Sequence, residues 1–409
     1  MLKKIRSEQV RLGMYLHAFC GAWLDHPFWR SSFVLKDPQD IASIHASKIR
    51  EVWIDTDKGL DVLQDAVAVE ASAPPPPEAQ PSTPPPPLPA ISREPTSFNE
   101  ELKQAARICA KSKQAVVSMF QEARLGKAVD AAEARELVEE ISGSVMRNPE
   151  ALISLARLKT ADEYTYMHSV AVCALMIALG KQLGLGEFEL REAGVAGLLH
   201  DLGKAVIPLE ILNKPGKLTD EEFDIIKTHP AEGHRMLQDG SGVGDIALEV
   251  CLHHHEKTDG SGYPHRLNDS QITLFAKMGA VCDVYDAITS NRPYKRGWDP
   301  AESLKKMAEW AKGHFDPTIF QAFVKSVGIY PIGSFVRLES GRMGVVVGQS
   351  EQSLLMPLVK VFFSAKSRAR IMPEVLDLSR AGNKDRIVSR EDPAAWGIAN
   401  IDEMWSGRS

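Results

Sequence analysis

No two cysteines of this chain stand in CxxC spacing, and the five present (Cys20, Cys109, Cys173, Cys251 and Cys282) are scattered and odd in number. That argues against a disulfide framework and against a thiolate metal knuckle. No run approaches the roughly 18 consecutive apolar residues that a membrane-spanning helix needs. The opening MLKKIRSEQVRLGMYL has neither a continuous apolar stretch nor a small-residue cleavage site, so no signal peptide is expected. Positive charge is not in excess: 48 Lys and Arg against 54 Asp and Glu give a formal charge of -6, which leaves no general footprint for duplex nucleic acid. A nucleotide ligand would have to meet a local basic pocket. What remains is a 409-residue chain, 44% hydrophobic and 25% charged, the composition of a soluble protein of two or three domains, expected to be cytoplasmic.

The sharpest internal boundary is SAPPPPEAQPSTPPPPLPAISREP (72–95), where proline and small polar residues replace any apolar period. Such a stretch packs no core and is expected to be an extended spacer, so residues 69–97 are read as a linker. Before it, residues 1–68 mix β-type runs such as EVWIDT with a helical pattern around PQDIASIHASKI, which suggests a small α+β domain. After it comes helix upon helix: QAVVSMFQEAR, ARELVEEISGSVM, SVAVCALMIALGKQL and LREAGVAGLLHDLGK carry apolar residues three and four apart. Residues 98–158 are read as a helical connector and 159–328 as an all-helical domain. From 329 to 409 the texture changes to short Val/Phe-rich runs (SFVRLE, MGVVVGQ, LVKVFFS) and a tail, a small β unit. The fold class expected is mainly α, with small sheets at both ends.

Histidine is scarce, twelve in all, yet CLHHHEKTDGSGYPHRL (251–267) places three side by side. Other members fall at intervals through the helical region: His168, His200 with Asp201, His229, His254 with His255, then Asp283. Any one alone reads more readily as a satisfied core residue. As a set, imidazoles and carboxylates projecting inward from several helices make a two-metal centre, and a donor set without thiolate suits a catalytic rather than a structural ion. Neighbours on a helix point about 100° apart, so His200 and Asp201 serve one ion only near a helix end, unless Asp201 bridges two.

LLHDLGKAVIP (198–208), HHEKTDGSGYP (254–264) and CDVYDAITSNRPYK (282–295), in that order, resemble the three signature blocks of the HD-GYP family, bacterial cyclic di-GMP phosphodiesterases within the HD phosphohydrolases. KPGKLTDEE, THPAEG and GHFDP extend the resemblance over roughly residues 160–328. The resemblance implies an HD-type helical bundle and metal ligands at His168, His200, Asp201, His229, His254, His255 and Asp283, with Asp201 bridging. Two divalent ions are implied, iron or manganese foremost, with cobalt, nickel, zinc and magnesium compatible. Hydrolysis of cyclic di-GMP to pGpG, or on to GMP, by a hydroxide bridging those ions is the implied reaction.

Lys204 resembles the family lysine that stabilises charge at the phosphate, and Asp286 is expected to orient a ligand or Lys204. Arg292 and Lys295 resemble residues that grip the substrate. Gly262, Tyr263 and Pro264 match the signature loop, which the family links to docking of partners such as diguanylate cyclase domains. His253 matches no family role. Family members with a third metal carry a glutamate four residues before the first histidine; Tyr164 stands there and Glu163 is one step off, so two ions are expected. Lys257 stands where arginine is more usual. The stretch from Gly13 to Leu35, with VWIDTDKG, resembles an uncharacterised domain that often precedes this one. Its aromatics Trp23, Phe28 and Trp29 are expected to form a small core. The C-terminal β unit is expected to cap the bundle or to help form a homodimer. A nucleotide-binding adaptor and a hydrolase of another cyclic dinucleotide stay open as alternatives.

Overall fold

A computed structural model describes residues 2–20, 33–35, 38, 41, 44–45, 50–60, 94–158, 164–214, 216–290, 297–350 and 352–406, and the chain divides into two compact units, Met1–Pro86 and Pro87–Ser409. The first unit holds strands β1 (Leu2–Arg6), β2 (Tyr15–Cys20), β3 (Phe33–Val34) and β4 (Glu51–Asp55) in an antiparallel sheet of order β1-β4-β2-β3. Alternation fixes its inner face: Val52 and Ile54 are buried while Trp53 between them is exposed. Ile5, Met14, Leu16, Leu35 and Ile44 complete that core. Trp23, Phe28 and Trp29 lie outside the described residues.

The second unit is helical up to residue 327. Its helices are α1 (Phe98–Arg124), α2 (Ala131–Arg147), α3 (Pro149–Arg157), α4 (Tyr164–Gln182), α5 (Glu187–Leu199), α6 (Leu209–Leu212), α7 (Asp220–Ile226), α8 (His229–Gln238), α9 (Asp245–His253), α10 (Leu274–Thr289), α11 (Pro300–His314) and α12 (Pro317–Val327). Their starts follow capping chemistry. Ser97 and Glu100 form a capping box on α1, Thr219 and Glu222 another on α7, and Asp299 and Asp316 precede a proline at the first turn of α11 and α12.

Helix α4 is the axis of the bundle. Residues 167–180 are buried without interruption, as expected of a helix apolar around its whole circumference, and it touches α1, α2, α3, α5, α10 and α12. The helices over 98–157 share this hydrophobic core with those over 164–327. A buried ion pair ties α1 to α2: Arg147 donates to both carboxylate oxygens of Glu101 at 2.7 and 2.8 Å, and Ser144 Oγ adds a third bond at 2.6 Å. Removing one partner would strand a buried charge, so the pair fixes how α1 docks.

Strands β5 (Phe335–Leu338), β6 (Arg342–Gly348), β7 (Leu358–Ser364), β8 (Ala369–Asp377) and β9 (Ile387–Arg390) form an antiparallel sheet of order β8-β7-β6-β5-β9. Both faces are packed: Phe335 and Val345 join one cluster with Trp405, while Val336 and Val346 join the other. Pro373 sits in edge strand β8, where a missing N–H blunts pairing with a further strand. Polar contacts among the described residues fasten this sheet to the bundle. Gln349 N–H donates to the Glu150 carboxylate at 3.1 Å, Arg157 to the Ile332 carbonyl at 3.0 Å, and Arg390 to Glu302 at 2.5 Å. No described helix is long and apolar enough to cross a membrane.

Candidate metal centre

Five helices converge on one buried cluster. His168 comes from the second turn of α4 and Asp283 from the middle of α10, while His229 opens α8. His200 caps the C-terminal end of α5 and Asp201 follows it out of the helix, which frees the two neighbours from the 100° divergence. His254 caps α9 and His255 follows. Gly203 makes the junction possible, since a Cβ there would overlap the His229 carbonyl oxygen. His168, His200, Asp201, His229 and His254 are at most 1% exposed, and Asp283 is 7% exposed.

The donor atoms fall into two groups, Asp201 with His229, His254 and His255, and His168 with His200 and Asp283, each gathered within 4.8 Å. The two carboxylates join them. Asp201 Oδ2 lies 3.4 Å from both His168 Nε2 and His200 Nε2, while its Oδ1 lies 3.2 Å from His229 Nε2. Asp283 does the same in reverse, with Oδ1 3.0 Å from His168 Nε2 and Oδ2 3.8 Å from His255 Nδ1.

The hydrogen bonds behind the rings test whether a cation fits. His200, His229 and His254 each donate Nδ1–H to a backbone carbonyl, of Gly197 at 2.8 Å, Ile226 at 2.7 Å and Val250 at 3.0 Å. A carbonyl only accepts, so each neutral ring turns a bare Nε2 lone pair inward. His200 Nε2 is buried without a hydrogen bond. Such orphans are costly, and a divalent ion satisfies them; imidazoles held by backbone carbonyls are ligands already oriented. The cluster can therefore bind divalent metal.

The charges agree. Burial pushes His254 well below its ordinary value, helped by His255, His200 and His229, and burial takes His255 down to about 3, so both rings stay neutral. Burial alone would raise Asp201, but Lys204, His200 and His229 hold it well below the usual carboxylate range. Asp283 is likewise held low against its burial, by His168 and His255. Lys204 Nζ donates to Asp201 Oδ2 at 2.5 Å.

Asp286 accepts from His168 Nδ1 at 2.6 Å, so of the two partners expected for it the described contact is with a ring of the cluster. His253 turns away from the cluster, to Glu249 at 3.1 Å and His265 at 3.1 Å. Tyr263 stacks on His255 with ring centroids 4.7 Å apart, and the Tyr263–Pro264 peptide is cis. Gly262 lies so close to the backbone of Glu256 and Lys257 that a Cβ would overlap both.

Sequence reasoning missed Glu256. Its buried carboxylate accepts the N–H of His265 at 2.6 Å and of Leu267 at 3.0 Å, which pins the signature loop over His255. The signal was its place directly after the paired histidines. Arg292 and Lys295 lie outside the described residues, as do Glu163 and the side chain of Tyr164.

Comparison with known proteins places these observations. A domain of unknown function, DUF3391, matches residues 2–134, and the HD domain matches residues 145–319. A cyclic di-GMP phosphodiesterase of Pseudomonas aeruginosa is 57% identical over 409 residues, covering 100% of this chain and 96% of that protein. A cyclic di-GMP phosphodiesterase response regulator of Xanthomonas campestris is 37% identical over 179 residues, 42% of this chain and 47% of that protein. Among solved structures, a HDG"Y"P protein from Bdellovibrio bacteriovorus aligns with a TM-score of 0.47 at 18% identity, over 80% of this chain and 99% of that chain. With a relative matched from end to end and the HD domain lying over the helices that carry the His/Asp cluster, the chain belongs to the HD-GYP family of HD-domain proteins.

Proposed function

We propose that this chain is a metal-dependent phosphodiesterase that hydrolyses cyclic di-GMP to pGpG, or on to GMP, in bacterial second-messenger signalling. The observation that carries the reading is the pair of donor groups joined by Asp201 and Asp283, each carboxylate turning one oxygen to each group. In this reading His168, His200 and Asp283 hold one divalent ion and His229, His254 and His255 the other, with Asp201 shared; iron and manganese suit the donors best. When bound, such ions supply Lewis acidity and an activated water for attack on phosphorus.

The protein's own groups do the rest. The Nδ1 bonds of His200, His229 and His254 fix which nitrogen faces the centre, and Asp286 does so for His168. Lys204, anchored on Asp201, places an ammonium where charge grows on the phosphate oxygens. Tyr263 stacks on His255, and Glu256 holds the loop beside it. Arg292 and Lys295 grip the substrate's phosphates and guanines, and the signature loop presents Gly262, Tyr263 and Pro264 to partner domains.

The test is anaerobic purification with metal analysis, then chromatography of cyclic di-GMP incubated with iron- or manganese-loaded protein. Formation of pGpG or GMP with about two ions per chain is expected. Full metal occupancy with cleavage of a different cyclic dinucleotide alone would replace the substrate. Absence of metal under every loading would favour a nucleotide-binding adaptor.

A further inference from the structure

His255 differs from the other rings of the cluster. Backbone carbonyls hold His200, His229 and His254 through Nδ1, and Asp286 holds His168. His255 has no such bond among the described residues; its Nδ1 lies 3.8 Å from Asp283 Oδ2, beyond hydrogen-bond reach. Its side chain is also the most open of the five, 22% exposed against at most 2% for the other rings. Of the rings around it, His229, His254 and Tyr263, only Tyr263 stacks on it. The placing of Tyr263 therefore decides the direction in which His255 offers a nitrogen.

Tyr263 sits on a loop that is held twice. The first hold is on the backbone: Glu256 accepts the N–H groups of His265 and Leu267, at 2.6 and 3.0 Å. Between them Arg266 has a φ of 56°, in the left-handed region that residues other than glycine rarely adopt. Such a conformation persists only where its surroundings enforce it.

The second hold is made by side chains. Glu249 and His253 stand one turn apart on α9, and His253 Nδ1–H donates to the Glu249 carboxylate at 3.1 Å, because a carboxylate only accepts. With that proton on Nδ1, the Nε2 lone pair of His253 accepts from His265 Nδ1–H, also at 3.1 Å. The bonds run in one direction, from the loop through His253 to the helix. His253 is 9% exposed, so its ring is a firm post, while His265 is exposed and owes its fixed ring to this bond.

We propose that His253 is a positioning residue for His255. It anchors the loop through His265, and the loop carries Tyr263, two residues earlier, onto the His255 ring. Glu249 sets which nitrogen of His253 faces the loop. This brace rests on the reading of the cluster as a metal centre and adds to it Glu249, His253 and His265, none of which meets an ion in that reading.

Equilibrium dialysis of manganese against the full-length protein reads the effect apart from catalysis. Wild type is expected to take up about two ions per chain. His253→Leu and His265→Leu should each weaken one of the two about three- to tenfold, the scale of one lost hydrogen bond, and leave the other unchanged. His265 is exposed, so its variant tests the bond even where His253→Leu disturbs the fold. The double variant should lose no more than either single one, because both substitutions break the same bond. His253→Gln, which keeps a donor for Glu249 and an acceptor for His265, should retain most of the affinity, and kcat of each variant should return at saturating manganese. Unchanged affinity in the single variants, additive losses in the double variant, or a kcat loss that manganese does not recover overturns the brace alone. A wild type that binds no metal under any loading overturns the metal centre, and the brace falls with it.

Discussion

The Nε2 atoms of His229 and His254 stand 3.3 Å apart, and each ring donates its Nδ1–H to a backbone carbonyl, so two neutral rings have no proton to share between them. Two facing lone pairs repel unless a cation lies between their directions. His229→Ala should therefore lower bound metal from about two ions per chain to about one. Elemental analysis of the purified variant reads this directly. Unchanged stoichiometry would mean that His229 is a core residue.

Asp201 holds a different position from the histidines, since its two oxygens face different donor groups. Losing it disturbs both groups at once, and also frees Lys204 from its carboxylate partner. Asp201→Ala is expected to reduce kcat by at least about a thousandfold, the scale of several kcal/mol of lost Lewis-acid stabilisation. Circular dichroism should show the helical content retained, because the bundle core along α4 does not depend on this side chain. Retained turnover would remove Asp201 from the centre.

Asp286 acts one step back, through His168. Its other oxygen accepts from Ser290 Oγ at 3.2 Å, so the carboxylate is itself held in place. Asp286→Asn replaces a charged acceptor by a weaker one that can also flip. Metal affinity should fall about 10- to 100-fold while kcat at saturating metal changes little. Titration of activity against manganese separates the two. A kcat loss that saturating metal does not recover would place Asp286 in contact with substrate instead.

What the sequence made legible follows from range. His200 and Asp201 could be read as a helix-end pair, and the aligned spacing of His168, His229, His254 and Asp283 sufficed to nominate them, because each lies on a helix whose period is visible. The helices were legible through apolar spacing, while the caps at Ser97, Thr219 and Asp316 that start three of them are seen in the structure. Which oxygen of Asp201 faces which ring depends on side-chain torsions that no periodicity records. Glu256 escaped for a related reason: its partners are backbone N–H groups of a turn, and any residue there would have supplied them. The docking of the C-terminal sheet was hidden by separation, since Glu150 meets Gln349 across 199 residues and Arg157 meets Ile332 across 175. Strand β9 likewise lacks the Val/Phe run that marks β5, β6 and β7, and is held by pairing with β5.

Glu150 turns that docking contact into a pH-dependent one. Burial raises its carboxyl to about 7, with the Gln349 N–H pulling the other way. An acid whose folded value lies above its unfolded value binds its proton more tightly when folded. Its effect on stability is nil well below the unfolded value, grows as a loss while pH rises from about 4.5 toward 7, and is complete above that range. Up to about 3 kcal/mol is at stake, at 1.36 kcal/mol per pH unit. Glu150→Gln keeps an acceptor for Gln349 and removes the ionisation. The variant should therefore unfold at a higher temperature than the wild type at pH 8 and at nearly the same temperature at pH 5. A gain equal at both pH values would mean that packing, and not the buried charge, sets the cost of this contact.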